Sequence, residues 1–311
     1  MHIYRSDQFT LPLPAGHRFP AQKYPLLAQA VHEFAANCMN TAPAASEYEL
    51  ALAHDPHYVE AVLDGTLDAR AQREIGFPWS EAMVERSRRS VGATIAAARS
   101  ALLEGCGVNL AGGTHHASAT KGSGFCVFND VAVAIRVLLR EGQIRRALVV
   151  DLDVHQGNGT AAIFRNDDRV FTFSMHGAGN FPFRREPGSL DIDLPDNTGD
   201  ADYLATLSAN LDPLLRTQRP DIVFYLAGAD PYIGDRLGKL ALSQEGLLAR
   251  DRLVMQTCQQ HQAALVVTMA GGYAVPISDT VAIQTNTVRL AWELFASPSV
   301  AVRHNLTEGA Q

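Results

Sequence analysis

The sequence predicts an α/β protein of three layers, α/β/α, around a central, mainly parallel sheet. Three observations carry that prediction. Short apolar runs rich in β-branched residues recur along the chain, each bounded by turn residues, as buried strands require. Stretches with apolar positions three and four residues apart separate them, and strands alternating with helices imply a parallel sheet covered on both faces. Four of the runs end in polar chemistry of one kind: Gly112-Gly113-Thr114-His115-His116, Asp151-Leu152-Asp153-Val154-His155, Ala227-Gly228-Ala229-Asp230-Pro231 and Ala270-Gly271-Gly272-Tyr273. Open parallel sheets take ligands beyond the carboxyl ends of their strands, so these residues are expected to converge in space.

In chain order, His54-Asp55-Pro56-His57 starts a helix, with a capping residue ahead of a proline. Helical spacing then covers 81–104 and stops at Gly105, which can adopt the left-handed conformation that ends a helix. Residues 107–111 read as the next strand. Asn129 or Asp130 caps a helix that runs to Gly142. Strands are predicted at 147–152, 170–175, 221–227 and 264–270, and helices at about 200–217, 243–261 and 279–295. No repeat, low-complexity linker or composition break divides the chain. A single catalytic domain is expected over residues 1–311, with its core at about 1–296 and a loose tail beyond.

Composition narrows the class. Of 311 residues, 47% are hydrophobic, enough for a large core, yet no stretch approaches the ~20 apolar residues of a membrane span. The beginning of the sequence lacks the charged and apolar regions of a secretory signal, so a cytoplasmic protein is expected. A formal charge of −7 with no extended basic cluster argues against nucleic acid as a partner. The short Arg86–Arg89 stretch reads as a solvated helix face. Cys38, Cys106, Cys126 and Cys258 have no metal-binding spacing and are expected to be free, buried thiols. Any metal ligands are then histidine and carboxylate.

Asp153 and His155 flank one residue, so they share a side of an extended segment, and Asp230 arrives from another strand end. Together they form an O, N, O set that leaves a tetrahedral divalent ion one open position, as in catalytic sites. Each residue alone is better read as a turn cap or a satisfied polar group, but that reading explains poorly three carboxylates and an imidazole at strand ends. The adjacent imidazoles of His115 and His116 diverge from a Gly-Gly turn and suit a general base with an electrostatic partner. Asp151 and Asn158 are candidate acceptors that fix their tautomers. Tyr273, after two glycines, is placed to donate to a carbonyl oxygen that becomes an oxyanion. No dinucleotide fingerprint, phosphate loop or G-x-S-x-G elbow competes with this site.

Taken together, these motifs resemble the zinc-dependent histone deacetylase family, within the arginase/deacetylase fold, over nearly the whole chain. The resemblance rests on Gly112–Ala117, Gly124-Phe125-Cys126-Val127-Phe128-Asn129-Asp130, Asp151–Gly159, Ala227–Pro231 and Gly271-Gly272-Tyr273, in the family's order. Gly234-Asp235-Arg236-Leu237-Gly238-Lys239-Leu240 and the early His17-Arg18-Phe19-Pro20 look like the bacterial branch related to class IV. The resemblance implies zinc on Asp153, His155 and Asp230, proton transfer by His116 or by the His115/His116 pair, and polarisation of an amide carbonyl by Tyr273. It further implies a structural potassium ion near Asp151, Asp153, His155, Ser174 and Met175. It also implies an acyl-lysine tunnel matching Gly124, Phe125, Phe181 and Gly272.

Two departures stand out. Asn158 occupies a position where some branches carry Asp, so His116 should be held less strongly as a cation. Thr114 replaces the aromatic that often precedes the histidine pair. The implied substrate is an acylated lysine in a peptide or protein, with an acetylated polyamine as the nearest alternative and a non-catalytic acyl-ligand-binding module as a third. A two-manganese ureohydrolase would need Asp-x-His-x-Asp, whereas this chain has Asp-x-Asp-x-His. No motif speaks to oligomeric state.

Overall fold

In a computed structural model, which describes residues 1–296, eight parallel strands form one sheet in the order β2-β1-β3-β8-β7-β4-β5-β6. The strands are β1 (His2–Arg5), β2 (Met39–Thr41), β3 (Cys106–Asn109), β4 (Ala147–Asp151), β5 (Val170–Gly177), β6 (Leu190–Leu194), β7 (Ile222–Leu226) and β8 (Ala264–Thr268). The tail expected after Ala296 lies outside the described residues.

Strand residues alternate between two cores, as the period of two dictates. Leu148, Val150, Val223, Tyr225, Leu265 and Val267 face one core; Ala147, Val149, Ile222, Phe224 and Val266 face the other. The first core is closed by α1 (Lys23–Ala35) and, from the second half of the chain, α8 (Asp200–Gln218), α9 (Gln244–Gln260) and α10 (Ile277–Phe295). The second is closed by α2 (Glu47–Ala51), α3 (Pro56–Asp64), α4 (Ala69–Ile75), α5 (Glu81–Glu104), α6 (Asp130–Arg140) and α7 (Asn158–Phe164). A sheet covered on both faces explains why its central strands read as unbroken apolar runs. Among the described residues no helix is long and apolar enough to cross a membrane.

Caps fix several boundaries. Ser80 accepts from Met83 N at the start of α5, and Gly105 ends it with φ +86°. Asn129, not Asp130, caps α6, accepting from Ala132 N; the helix ends at Arg140, two residues short of the predicted Gly142. Asp130 instead gathers the Gly-Gly-Thr turn, accepting from Gly113 N at 3.0 Å, Thr114 N at 2.8 Å and Thr94 Oγ1 at 2.6 Å.

The reading of Arg86–Arg89 as a solvated face is corrected. Arg86 is buried, donates to Ser6 Oγ at 2.7 Å and lies 4.4 Å from the Tyr24 ring centre. Arg88 and Arg89 donate to the carbonyls of Ala45 and Ala42. The chain between β2 and α2 runs along this side of α5, so the long stems pack and their heads satisfy its backbone. All four cysteines are free, with Cys38 partly exposed and the others buried.

Candidate active site

The four polar strand ends lie on neighbouring strands. Running across the sheet, β3 leads to His115 and His116, β8 to Tyr273, β7 to Asp230, and β4 to Asp153 and His155. Gly112 and Gly113, at φ +76° and +71°, make the turn that brings the histidine pair back over the sheet.

Ligand atoms of Asp153, His155 and Asp230 all lie within 4.8 Å of one another. His155 Nδ1 is 2.8 Å from Asp153 Oδ1 and 3.3 Å from Asp230 Oδ2. The remaining carboxylate oxygens are oriented by backbone: Asp153 Oδ2 accepts from Gly271 N at 2.8 Å, and Asp230 Oδ1 from Val154 N at 3.0 Å. Oδ2 of Asp230 is buried with no hydrogen-bond partner. A buried carboxylate oxygen left unpaired is costly, and a divalent cation at this convergence satisfies it. The O, N, O donor set therefore fits such an ion. Burial and the neighbouring Asp153 charge push the Asp230 carboxyl up to about 7. Burial opposes the charge of Asp153 too, but His115 and His155 beside it hold its carboxyl below the usual range.

The two histidines differ in their partners. His115 Nδ1 lies 2.6 Å from Asp151 Oδ2, and His116 Nδ1 lies 2.8 Å from Asn158 Oδ1; the rings are 4.1 Å apart. Burial acts to lower the pKa of His115, but Asp151 and Asp153 outweigh it and raise it to about 9. Burial, with positive charge on His115 and His155 nearby, holds His116 well below 6.5, and the neutral Asn158 amide offsets little of this. Tyr273 is buried; burial and the Asp230 charge raise its phenol well above 10, so it keeps its proton.

The residues matched to a tunnel fall into three places. Phe181 meets the His116 ring edge-on at 4.9 Å, and a Cβ on Gly124 would reach His116 Cδ2 at 2.8 Å and Phe181 Cε1 at 3.3 Å, so these three are in contact. Phe125 lies 6.2 Å from the Tyr273 ring and packs against Phe19 and Phe77. Gly272 packs against Ala229 and Thr280 instead. Ser174 faces Asp151 in register across β4 and β5, with its hydroxyl 2.8 Å from His176 Nδ1, and Met175 follows it, buried.

Three residues near the site escaped the sequence reading. Asp235 accepts from the backbone N of Tyr273 at 2.5 Å, of Leu237 at 2.8 Å and of Gly238 at 3.0 Å. Lys23 is buried and donates to the carbonyls of Ala270 and Gly272. Arg250 is buried behind the ligand loops. Asp235 had a signal, in its place within Gly234–Leu240; the two cations sit in ordinary amphipathic helices and had none.

A model of the histone deacetylase domain matches residues 17–288. An uncharacterized protein of Picosynechococcus sp. is 45% identical over 282 residues, covering 90% of this chain and 94% of that one. Histone deacetylase 2 of Arabidopsis thaliana is 32% identical over 238 residues, covering 74% of this chain and 62% of that one. Among solved structures, an HDAC homolog crystallised in complex with SAHA superposes with a TM-score of 0.80 at 25% identity, covering 94% of this chain and 83% of that one. The chain belongs to the histone deacetylase family, hydrolases that act on amide bonds in an arginase/deacetylase-like α/β fold.

Proposed function

We propose that this chain is a single zinc-dependent catalytic unit that removes acyl groups from the side-chain amine of lysine in peptides or proteins. The observation that carries this reading is the buried Asp230 Oδ2, without a hydrogen bond and facing Asp153 and His155, beside two histidines whose acceptors are one anionic, Asp151, and one neutral, Asn158. Asp153, His155 and Asp230 hold the zinc, which when bound supplies Lewis-acid polarisation and a water acidified towards ~7. His116 is neutral; with Nδ1–H donating to Asn158, its Nε2 carries the lone pair that takes the proton of the attacking water. His115, kept cationic by Asp151, stabilises the negative charge that develops beside it. Tyr273 donates its phenolic proton in a hydrogen bond to the former carbonyl oxygen. The amide C–N bond then breaks, the amine leaves with the proton held on His116, and a carboxylate remains. Gly124, Phe125 and Phe181 line the path of the acyl-lysine chain, and Gly272, packed against Ala229 and Thr280, shapes the turn that carries Tyr273. A potassium ion near Asp151, Asp153, His155, Ser174 and Met175 steadies the strand ends that carry these groups.

The competing substrate, an acetylated polyamine, calls for free acidic groups at the mouth. Asp235 does not supply one, because its carboxylate is taken up by three backbone N–H groups, and its exposed neighbours include Ile233 and Arg236. Steady-state hydrolysis of acyl-lysine peptides and of acetylated putrescine and spermidine by zinc-loaded protein tests the reading. Lysine peptides are expected to be preferred, and preference for the polyamines would overturn it. Tyr273→Phe is expected to lower kcat about 10²- to 10³-fold with zinc content unchanged; undiminished turnover would remove the oxyanion role.

A further inference from the structure

We infer that Arg250, on α9, is a positioning residue that fixes the spacing between the two loops carrying Asp153, His155 and Asp230. The inference rests on the proposal that those three hold the metal. Arg250 heads the largest fully buried side chains of the structure. Its Nη1 donates to two carbonyls at once, Gly228 O at 2.7 Å and Leu152 O at 3.3 Å. Leu152 immediately precedes Asp153 at the end of β4, and Gly228 lies two residues before Asp230 at the end of β7. One planar head thus bridges the roots of both ligand loops.

The head is itself held fast. Nε and Nη2 donate to Asp251 Oδ1 at 3.0 and 2.8 Å. Asp251 in turn accepts from Tyr225 OH on β7 and from Thr287 Oγ1 on α10, each at 2.5 Å. The guanidinium is therefore neutralised where it sits, and its effect on the ligand loops is one of geometry more than of net charge. Burying an ion pair in a core costs more than filling the same volume with apolar side chains, so packing stability alone does not account for it. An ammonium is a point donor on a flexible stem and lacks the rigid fork that reaches both carbonyls while pairing with Asp251. Other direct ties between the loops are Leu152 N to Leu226 O at 3.2 Å, Val154 N to Asp230 Oδ1 at 3.0 Å and His155 Nδ1 beside Asp230 Oδ2 at 3.3 Å, and the last two involve the ligand side chains themselves. A slip of one loop against the other would open the donor triangle.

The test uses the full chain loaded with cobalt(II), whose d–d spectrum reports ligand geometry, in wild type, Arg250→Lys and the charge-free pair Arg250→Met with Asp251→Asn. Wild type is expected to take one equivalent. In the double variant, affinity measured by chelator competition should fall about 10- to 100-fold, the size of effect typical of groups that orient metal ligands. Its cobalt spectrum should change, and kcat should fall with KM for an acetyl-lysine peptide held. Arg250→Lys should fall between the two. Folded variants with wild-type affinity and spectrum would overturn the positioning role, and so would failure of both variants to fold, which would make Arg250 a folding element. A wild type that takes no cobalt would instead overturn the ligand assignment beneath the inference.

Discussion

Gly271 shows how little room the ligand carboxylates leave. A Cβ at this position would fall on Asp230 Oδ2 and come within 2.7 Å of Asp153 Oδ2, while the residue's own N–H orients that second carboxylate. Gly271→Ala is therefore expected to push both carboxylates off the convergence point. Zinc content, measured by atomic emission on the purified variant, should fall well below one equivalent, with the far-ultraviolet circular dichroism spectrum preserved. Full occupancy would mean that the β8 loop has slack the geometry denies. At this scale the sequence was readable where residue types are rare in combination. Two histidines after paired glycines, and Asp-x-Asp-x-His at a strand end, named Asp151 and Asn158 as candidate partners, and these are the acceptors the histidines meet. Lys23 and Arg250 were not readable, because a cation within a helix looks solvated until the fold shows which carbonyls surround it.

Among the elements, α3 is docked by a histidine that works only when neutral. His54 Nε2 accepts from Asn129 N at 2.9 Å, at the cap of α6, and its Nδ1 donates to the Ser118 carbonyl at 3.0 Å. Burial lowers its pKa to about 4, against the ordinary value of 6.5 in an unfolded chain. Above pH 6.5 both states are neutral and the contact is fully stabilising. As pH falls from 6.5 towards 4 the unfolded chain takes up a proton that the fold refuses, so stability drops by up to roughly 1.4 kcal/mol per pH unit, about 3 kcal/mol in all. The urea midpoint should be lower at pH 5 than at pH 7, and His54→Gln should shrink that difference. An identical pH dependence in the variant would rule the contact out as its source. Central strands and the helices α5, α6, α8, α9 and α10 were legible to within a few residues because burial on both faces and capping leave marks in sequence, whereas α1, Lys23–Ala35, was missed. The edge strands β2 and β6 were missed, and so was β1 beside β2: β1 and β2 are four and three residues long, and β6, Leu190–Leu194, alternates with aspartates, so pairing with neighbours makes them strands.

For the whole molecule, the three-layer arrangement followed from alternation of strand and helix, but the order of strands did not. Nothing local states that β8 inserts between β3 and β7, which pair with it through Cys106↔Leu265 and Ile222↔Ala264. This placement sets a timetable for synthesis. On the ribosome, β1 to β3 and β4 to β7 can assemble as two partial sheets, but each keeps a raw apolar edge until the last described strand emerges. A chain ended before Ala264 is accordingly expected to go to the insoluble fraction on expression; a soluble monomer of that fragment would show that the halves join without their seam. Because the chain leaving β8 also carries Gly271 and Tyr273, a nascent chain joins the two halves of its sheet and gathers the residues proposed for catalysis in the same step.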